Sequence, residues 1–127
     1  MAELKRILHV DDEADIREVA KMTLEAIGGF TVETCGSGHE ALQMASNFAP
    51  DLILLDVMMP GMDGPMTLQE LHKAADTVRI PVVFMTAKAQ SHEVAQFLDI
   101  GAVGIITKPF DPMTLSQQIS DIWNSLQ

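Results

Sequence analysis

Asp51-Leu52-Ile53-Leu54-Leu55-Asp56, followed at once by Val57-Met58-Met59-Pro60-Gly61, decides the reading of this chain. Four consecutive apolar residues without polar alternation fit a strand buried on both faces, as in a parallel sheet covered by helices. The Pro-Gly pair then turns the chain. Asp56 thereby lands at the C-terminal edge of a strand, where open α/β sheets bind ligands. Working outward, Ile7-Leu8-His9-Val10 ends in Asp11-Asp12, a second apolar run ends in Thr86, and a third in Lys108. Three carboxylates, a hydroxyl and an ammonium at strand ends suit divalent-metal binding and phosphoryl transfer to a carboxylate.

The rest of the chain repeats this unit. Candidate strands cover Arg6–Val10, Thr31–Cys35, Leu52–Leu55, Val82–Met85 and Val103–Thr107. Between and after them, apolar residues recur at three- and four-residue steps, the period of an amphipathic helix. Ile16, Val19, Ala20, Thr23, Leu24 and Ile27 form the first such face, and Ala41, Leu42, Ala45 and Phe48 the second. Leu68, Leu71 and Ala75 form the third, Val94, Phe97 and Leu98 the fourth, and Leu115, Ile119, Ile122, Trp123 and Leu126 the fifth. Ser37-Gly38-His39-Glu40 reads as a capping box. Asp111-Pro112 reads as an N-cap before a first-turn proline. Gly28-Gly29 and Gly101 are placed to end the helices before them. Strict alternation implies right-handed crossovers, a parallel sheet and helices on both faces. The expected architecture is a three-layer (βα)5 sandwich forming one domain over residues 1–127.

Composition removes several function classes. With 127 residues the chain can bury a core without staples, and 47% hydrophobic residues argue against disorder. Eighteen acids against eight bases give a net charge of −10, which opposes binding to nucleic acid or anionic membranes. No apolar run approaches the ~20 residues of a membrane span. One cysteine, Cys35, excludes an internal disulfide and makes a cytoplasmic location the expectation. His9, His39, His72 and His92 show no metal-ligand spacing and are expected to pack or be solvated. Met58, Met59, Met62 and Met66 read as flexible packing around the loop after Asp56. Cys35 reads as a small inert hydrophobe, and Trp123 as an anchor of the last helix.

Taken together, Val10-Asp11-Asp12-Glu13, Leu55-Asp56 through Gly64, Met85-Thr86-Ala87 and Thr107-Lys108-Pro109-Phe110 resemble a response-regulator receiver domain. Each motif alone is weak; all four in family order and spacing are specific. The resemblance implies a flavodoxin-like sheet of order 2-1-3-4-5. It implies that Asp56 is the phosphoacceptor, fed by a sensor histidine kinase, a histidine phosphotransfer protein or a small acyl phosphate. Mg²⁺, for which Mn²⁺ can substitute, would be held by Asp11, Asp12, Asp56 and the backbone carbonyl of Met58. Thr86, Ala87 and Lys108 would bind the phosphoryl group, and Lys108-Pro109 would be cis. Output would pass to a protein partner over the face of the fourth helix, fifth strand and fifth helix. Met58 and Lys88 occupy the two positions that tune phosphoryl lifetime, and a long-lived phosphoryl group is expected. No multiple-turnover enzyme is expected.

One position departs from the family. The switch pairs the threonine with an aromatic three residues before the lysine, and here that residue is Ile105. A branched aliphatic cannot swing a ring, so weaker coupling is expected. The residues after the fifth helix leave no room for an effector domain. That suggests a stand-alone receiver, a phosphorelay intermediate or the excised receiver of a larger regulator. Three rivals fit less well. A carboxylate-nucleophile phosphohydrolase usually has a second acid at position 58, where this chain has methionine. A nucleotide or flavin binder needs glycines in the first loop, which here is Asp-Asp-Glu-Ala-Asp. A receiver that binds without phosphorylation has no need of the intact Asp12, Asp56, Thr86 and Lys108 set.

Overall fold

The computed structural model describes residues 3–127. Five strands alternate with five helices: β1 (Arg6–Val10), α1 (Ala14–Ala26), β2 (Thr31–Cys35), α2 (Gly38–Phe48), β3 (Leu52–Asp56), α3 (Gly64–Lys73), β4 (Val82–Thr86), α4 (Ser91–Asp99), β5 (Gly104–Thr107) and α5 (Leu115–Ser125). The strands pair in parallel in the order β2-β1-β3-β4-β5, so the flavodoxin-like expectation holds.

Side-chain alternation along each strand builds two cores, one on each side of the sheet. Leu8, Val10, Ile53, Leu55 and Phe84 meet Ala41 and Ala45 of α2 and Leu68 and Leu71 of α3. Ile7, Leu52, Leu54, Met85 and Ile106 meet Ala20 and Leu24 of α1 and Leu115 and Ile119 of α5. The three inner strands carry most of this. Leu52, Ile53, Leu54 and Leu55 are wholly buried, which explains why that stretch shows no alternation in sequence.

Several local expectations hold. Ser37 Oγ accepts the Glu40 backbone N–H at 3.1 Å and caps α2, although Glu40 bonds the Ser37 hydroxyl and not its backbone. Gly29, at φ +71°, turns the chain after α1, and Phe30 N–H then donates to the Leu24 carbonyl. Gly101 ends α4 at φ +118°.

Others are corrected. Strands β3 and β4 run one residue further than expected, taking in Asp56 and Thr86, while β5 begins at Gly104 and leaves out Val103. Asp111 does not cap α5, which begins at Leu115. Its carboxylate accepts from Met113 N–H, and its carbonyl accepts from Thr114 and Leu115 in a turn that precedes the helix. Ala75 lies beyond α3 and is exposed. Val19, Ile27, Leu98 and Leu126 belong to apolar stripes broader than the surface the sheet covers, and each is exposed.

Candidate functional site

β1 and β3 are neighbours, and Val10 pairs with Leu55, so the next residues, Asp11 and Asp56, stand side by side. Asp11 is wholly buried and Asp56 nearly so, whereas Asp12 turns outward and is exposed. Carboxylate oxygens of Asp11, Asp12 and Asp56 lie within 4.8 Å of one another. Lys108, delivered by β5 from across the sheet, puts its Nζ 3.1 Å from Asp11 Oδ2 and 3.3 Å from Asp56 Oδ1. The peptide bond from Lys108 to Pro109 is cis, as the family resemblance implies.

Backbone bonds hold these groups in place. Asp11 N–H donates to the Cys35 carbonyl at 3.1 Å, and Asp11 Oδ1 accepts from Glu13 N–H at 2.9 Å. Val57 N–H donates to the Met85 carbonyl at 3.0 Å, and Lys108 N–H to the Thr86 carbonyl at 2.9 Å. Each chemical group is therefore tied to the neighbouring strand.

Charge in so small a space shifts the titrations. Burial, and then the charge of Asp11, raises the Asp56 carboxyl from 3.8 to about 6; Lys108 and a Met58 backbone hydrogen bond pull the other way. Burial works against the charge of Lys108, but its hydrogen bond to Asp11 and the charges of Asp11 and Asp56 outweigh it, and its pKa is raised. Lys108 stays cationic and offsets part of the carboxylate repulsion. The remaining excess of negative charge, presented entirely on oxygen, suits a hard divalent cation.

Of the residues expected from sequence, the structure brings Asp11, Asp12, Asp56 and Lys108 into one cluster. Thr86 is buried at the end of β4, where its hydroxyl accepts the Lys88 backbone N–H at 3.0 Å. Ala87 and Lys88 follow it on the exposed rim. Met58 is exposed by 67% on the other rim, and Ile105 is half-buried against the core on the α4 side.

Two residues escaped the sequence reading, and a third, His9, packs as expected but without a hydrogen-bond partner. Arg17 on α1 donates to the Asp11 carbonyl at 2.7 Å and so fixes the loop bearing the acids; no motif announces it. Gly64 lets α3 start against the loop after Asp56, since a Cβ there would lie 2.7 Å from the Asp56 carbonyl oxygen and 2.8 Å from Val57 Cα. Asp63 caps α3, its Oδ1 accepting from Met66 N–H at 2.9 Å, and a glycine directly after it was the available signal. His9 sits wholly buried one layer beneath Asp11, and neither ring nitrogen has a partner. Burial lowers its pKa from 6.5 to about 4.

The site is a cluster of carboxylates and one lysine gathered at the C-terminal edge of a doubly wound parallel sheet. Comparison with known proteins agrees with the family resemblance. The model of the response regulator receiver domain matches residues 7–120. The response regulator Rre1 of Synechocystis is 35% identical over 122 residues, covering 96% of this chain and 53% of that protein. The phosphate regulon regulatory protein PhoB of Pseudomonas aeruginosa is 38% identical over 118 residues, covering 93% and 51%. Among solved structures, the chemotaxis response regulator CheY4 of Vibrio cholerae superposes with a TM-score of 0.86 at 30% identity, covering 94% of this chain and 99% of that one. A response regulator from Desulfuromonas acetoxidans gives 0.84 at 32%, covering 97% and 99%. The chain belongs to the response regulator receiver family. It spans about half the length of the curated relatives it matches.

Receiver domains of two-component systems work by phosphorylation on an aspartate, bind Mg²⁺ at an acidic pocket, and interact with histidine kinases and output domains. No helix among the described residues is long and apolar enough to cross a membrane.

Proposed function

We propose that Asp56 is the phosphoacceptor of this receiver, and that the protein signals through a protein partner without multiple-turnover catalysis. The observation that carries this is the Lys108 ammonium bridging Asp56 and Asp11 across the sheet, at 3.3 and 3.1 Å. It leaves Asp56 and Asp11 both buried and close to a cation, with Asp56 at the end of β3 beside the exposed Asp12.

In the transfer, an Asp56 carboxylate oxygen attacks phosphorus. The P–N bond of a phosphohistidine, or the P–O bond of an acyl phosphate, breaks, and its electron pair leaves with the donor. Asp56 must be ionised to attack; burial and Asp11 raise its carboxyl in the metal-free site, and a bound cation would favour the ionised form. Lys108 neutralises a transferring phosphoryl oxygen, and the Thr86 hydroxyl binds another after turning from its present bond to Lys88. Asp11, Asp12, Asp56 and the Met58 carbonyl would hold Mg²⁺, which when bound offsets the negative charge of the acids and the incoming phosphoryl group. Met58 and Lys88 are both exposed, each two residues beyond a strand-end site residue. The exposed thioether of Met58 shields the acyl phosphate from water, and this underlies the expected long lifetime.

Beside Lys108 lies an apolar hollow of about 230 Å³ lined by Ile16, Val19, Pro109, Phe110 and Pro112. It supports docking of a kinase or phosphotransfer protein against α1 and the β5–α5 loop. Output is assigned to the face of α4, β5 and α5. Intact mass after incubation with acetyl phosphate and Mg²⁺ tests the assignment. One added phosphoryl group is expected, absent in Asp56→Asn. An adduct that survives in Asp56→Asn would move the acceptor elsewhere.

A further inference from the structure

We propose that Phe97 on α4 is the aromatic coupling residue of this receiver, carrying the response of Thr86 into α4 in place of a ring at position 105. The proposal rests on the reading of Asp56 and Thr86 given above.

The seating of α4 motivates it. None of the nine residues of this helix is buried. Phe97 is its one side chain packed against the core cluster on that side of the sheet. The contact is specific: the Phe97 ring meets the Phe84 ring edge-on, with centroids 5.2 Å apart and planes at 84°. Phe84 is wholly buried on β4. It lies two residues before Thr86, so both side chains point to the same face of that strand.

Position 105 belongs to the same group. Ile105 on β5 pairs in register with Phe84 and packs into the same cluster. The two aromatic rings and Ile105 therefore form one contact next to the phosphate-sensing threonine. Ile105 has no ring to swing, and its branched side chain is stiff at the first torsion. The ring that can respond belongs to α4.

A mechanical link from the site already exists. Thr86 Oγ1 accepts the Lys88 backbone N–H, so the hydroxyl shapes the short segment from Ala87 to Gln90 that leads into α4. A threonine drawn toward a phosphoryl group gives up that bond and frees the segment to take a new course. The helix beyond it is held to the core through one aromatic contact and can slide upon it. Where a family switch turns a side chain, this one moves a helix.

The test combines intact mass with amide NMR on the whole chain, with and without acetyl phosphate and Mg²⁺. In the wild type, amides from Ser91 to Asp99 shift together with that of Thr86. Phe97→Leu should take up the phosphoryl group to the same extent, while its α4 shifts fall at least threefold. Phe97→Tyr, which keeps the ring, should retain them within twofold, and so should Ile105→Val. A full α4 response in phosphorylated Phe97→Leu overturns the proposal, as does loss of that response in Ile105→Val. Absence of any adduct in the wild type would remove the phosphoacceptor reading, and this inference with it. An adduct with an unaltered α4 response in Phe97→Leu removes the inference alone.

Discussion

His9→Val is the substitution with the sharpest pH signature. The imidazole is enclosed on β1, with no partner for either nitrogen, and folding holds its pKa at about 4 against an ordinary 6.5. Between those values the unfolded chain binds a proton that the folded chain refuses. The stability His9 permits is thus fully present above pH 6.5 and is lost as pH falls toward 4. The whole gap is about 3 kcal/mol, of which about 2 kcal/mol is lost by pH 5. Asp56 acts in the opposite sense. Its folded pKa is raised, so it destabilises the fold as pH rises from 3.8 to about 6. The two effects offset each other in the wild type, and only the difference between variant and wild type isolates His9. Valine nearly matches the ring in volume and favours the strand. It also removes two unmet polar atoms, each costing about 1–3 kcal/mol. Urea unfolding in EDTA, followed by Trp123 fluorescence at pH 7.5 and pH 5, should show the variant at least as stable at the higher pH. At pH 5 its advantage should grow by about 2 kcal/mol, or roughly 1–2 M in urea midpoint. An advantage that stays constant between the two pH values would refute the neutral, buried imidazole.

Three other substitutions probe the site's supports. Gly64→Ala drives a methyl group into the Asp56 carbonyl and Val57 Cα, both backbone atoms that cannot give way cheaply. A loss of about 1–3 kcal/mol is expected by urea unfolding, with slower phosphorylation. Arg17→Ala frees the Asp11 carbonyl and loosens the loop bearing the acids. Mg²⁺ affinity, read by calorimetry, should weaken about tenfold, while Arg17→Lys should lose less. Ser37→Ala removes the α2 cap and should cost about 1 kcal/mol; unchanged phosphorylation would confirm that the effect is confined to stability.

The sheet was readable from sequence because its inner strands are covered on both faces and write themselves as unbroken apolar runs. Their ends were less so. Asp56 counts as strand because Val57 N–H bonds to the Met85 carbonyl, and Thr86 because its own carbonyl accepts from Lys108 N–H, and such bonds leave no mark on composition. The Asp111-Pro112 signal misled for a related reason. The same two residues serve a helix start or a tight turn, and here the Asp111 side chain reaches Met113 in a turn. The α4 stripe was visible, but its shallow seating was not: β5 is an edge strand, and it offers α4 only half a floor. The acids and Lys108 stood out as strand-end groups. Arg17 acts through a backbone carbonyl that any sequence could supply. The isolation of His9 emerges only when the sheet register shows what surrounds it.

The direct supports of the acidic cluster are β1, β3 and β4, whose amides are enclosed between two cores. In hydrogen exchange those amides should open only when the whole molecule unfolds, whereas α4 should exchange through local fluctuations. On the proposed roles of Asp56 and α4, phosphoacceptance and output draw on different parts of the stability spectrum. Mild denaturation should silence the message well before it silences the chemistry, leaving a population that still takes up phosphate but no longer reports it.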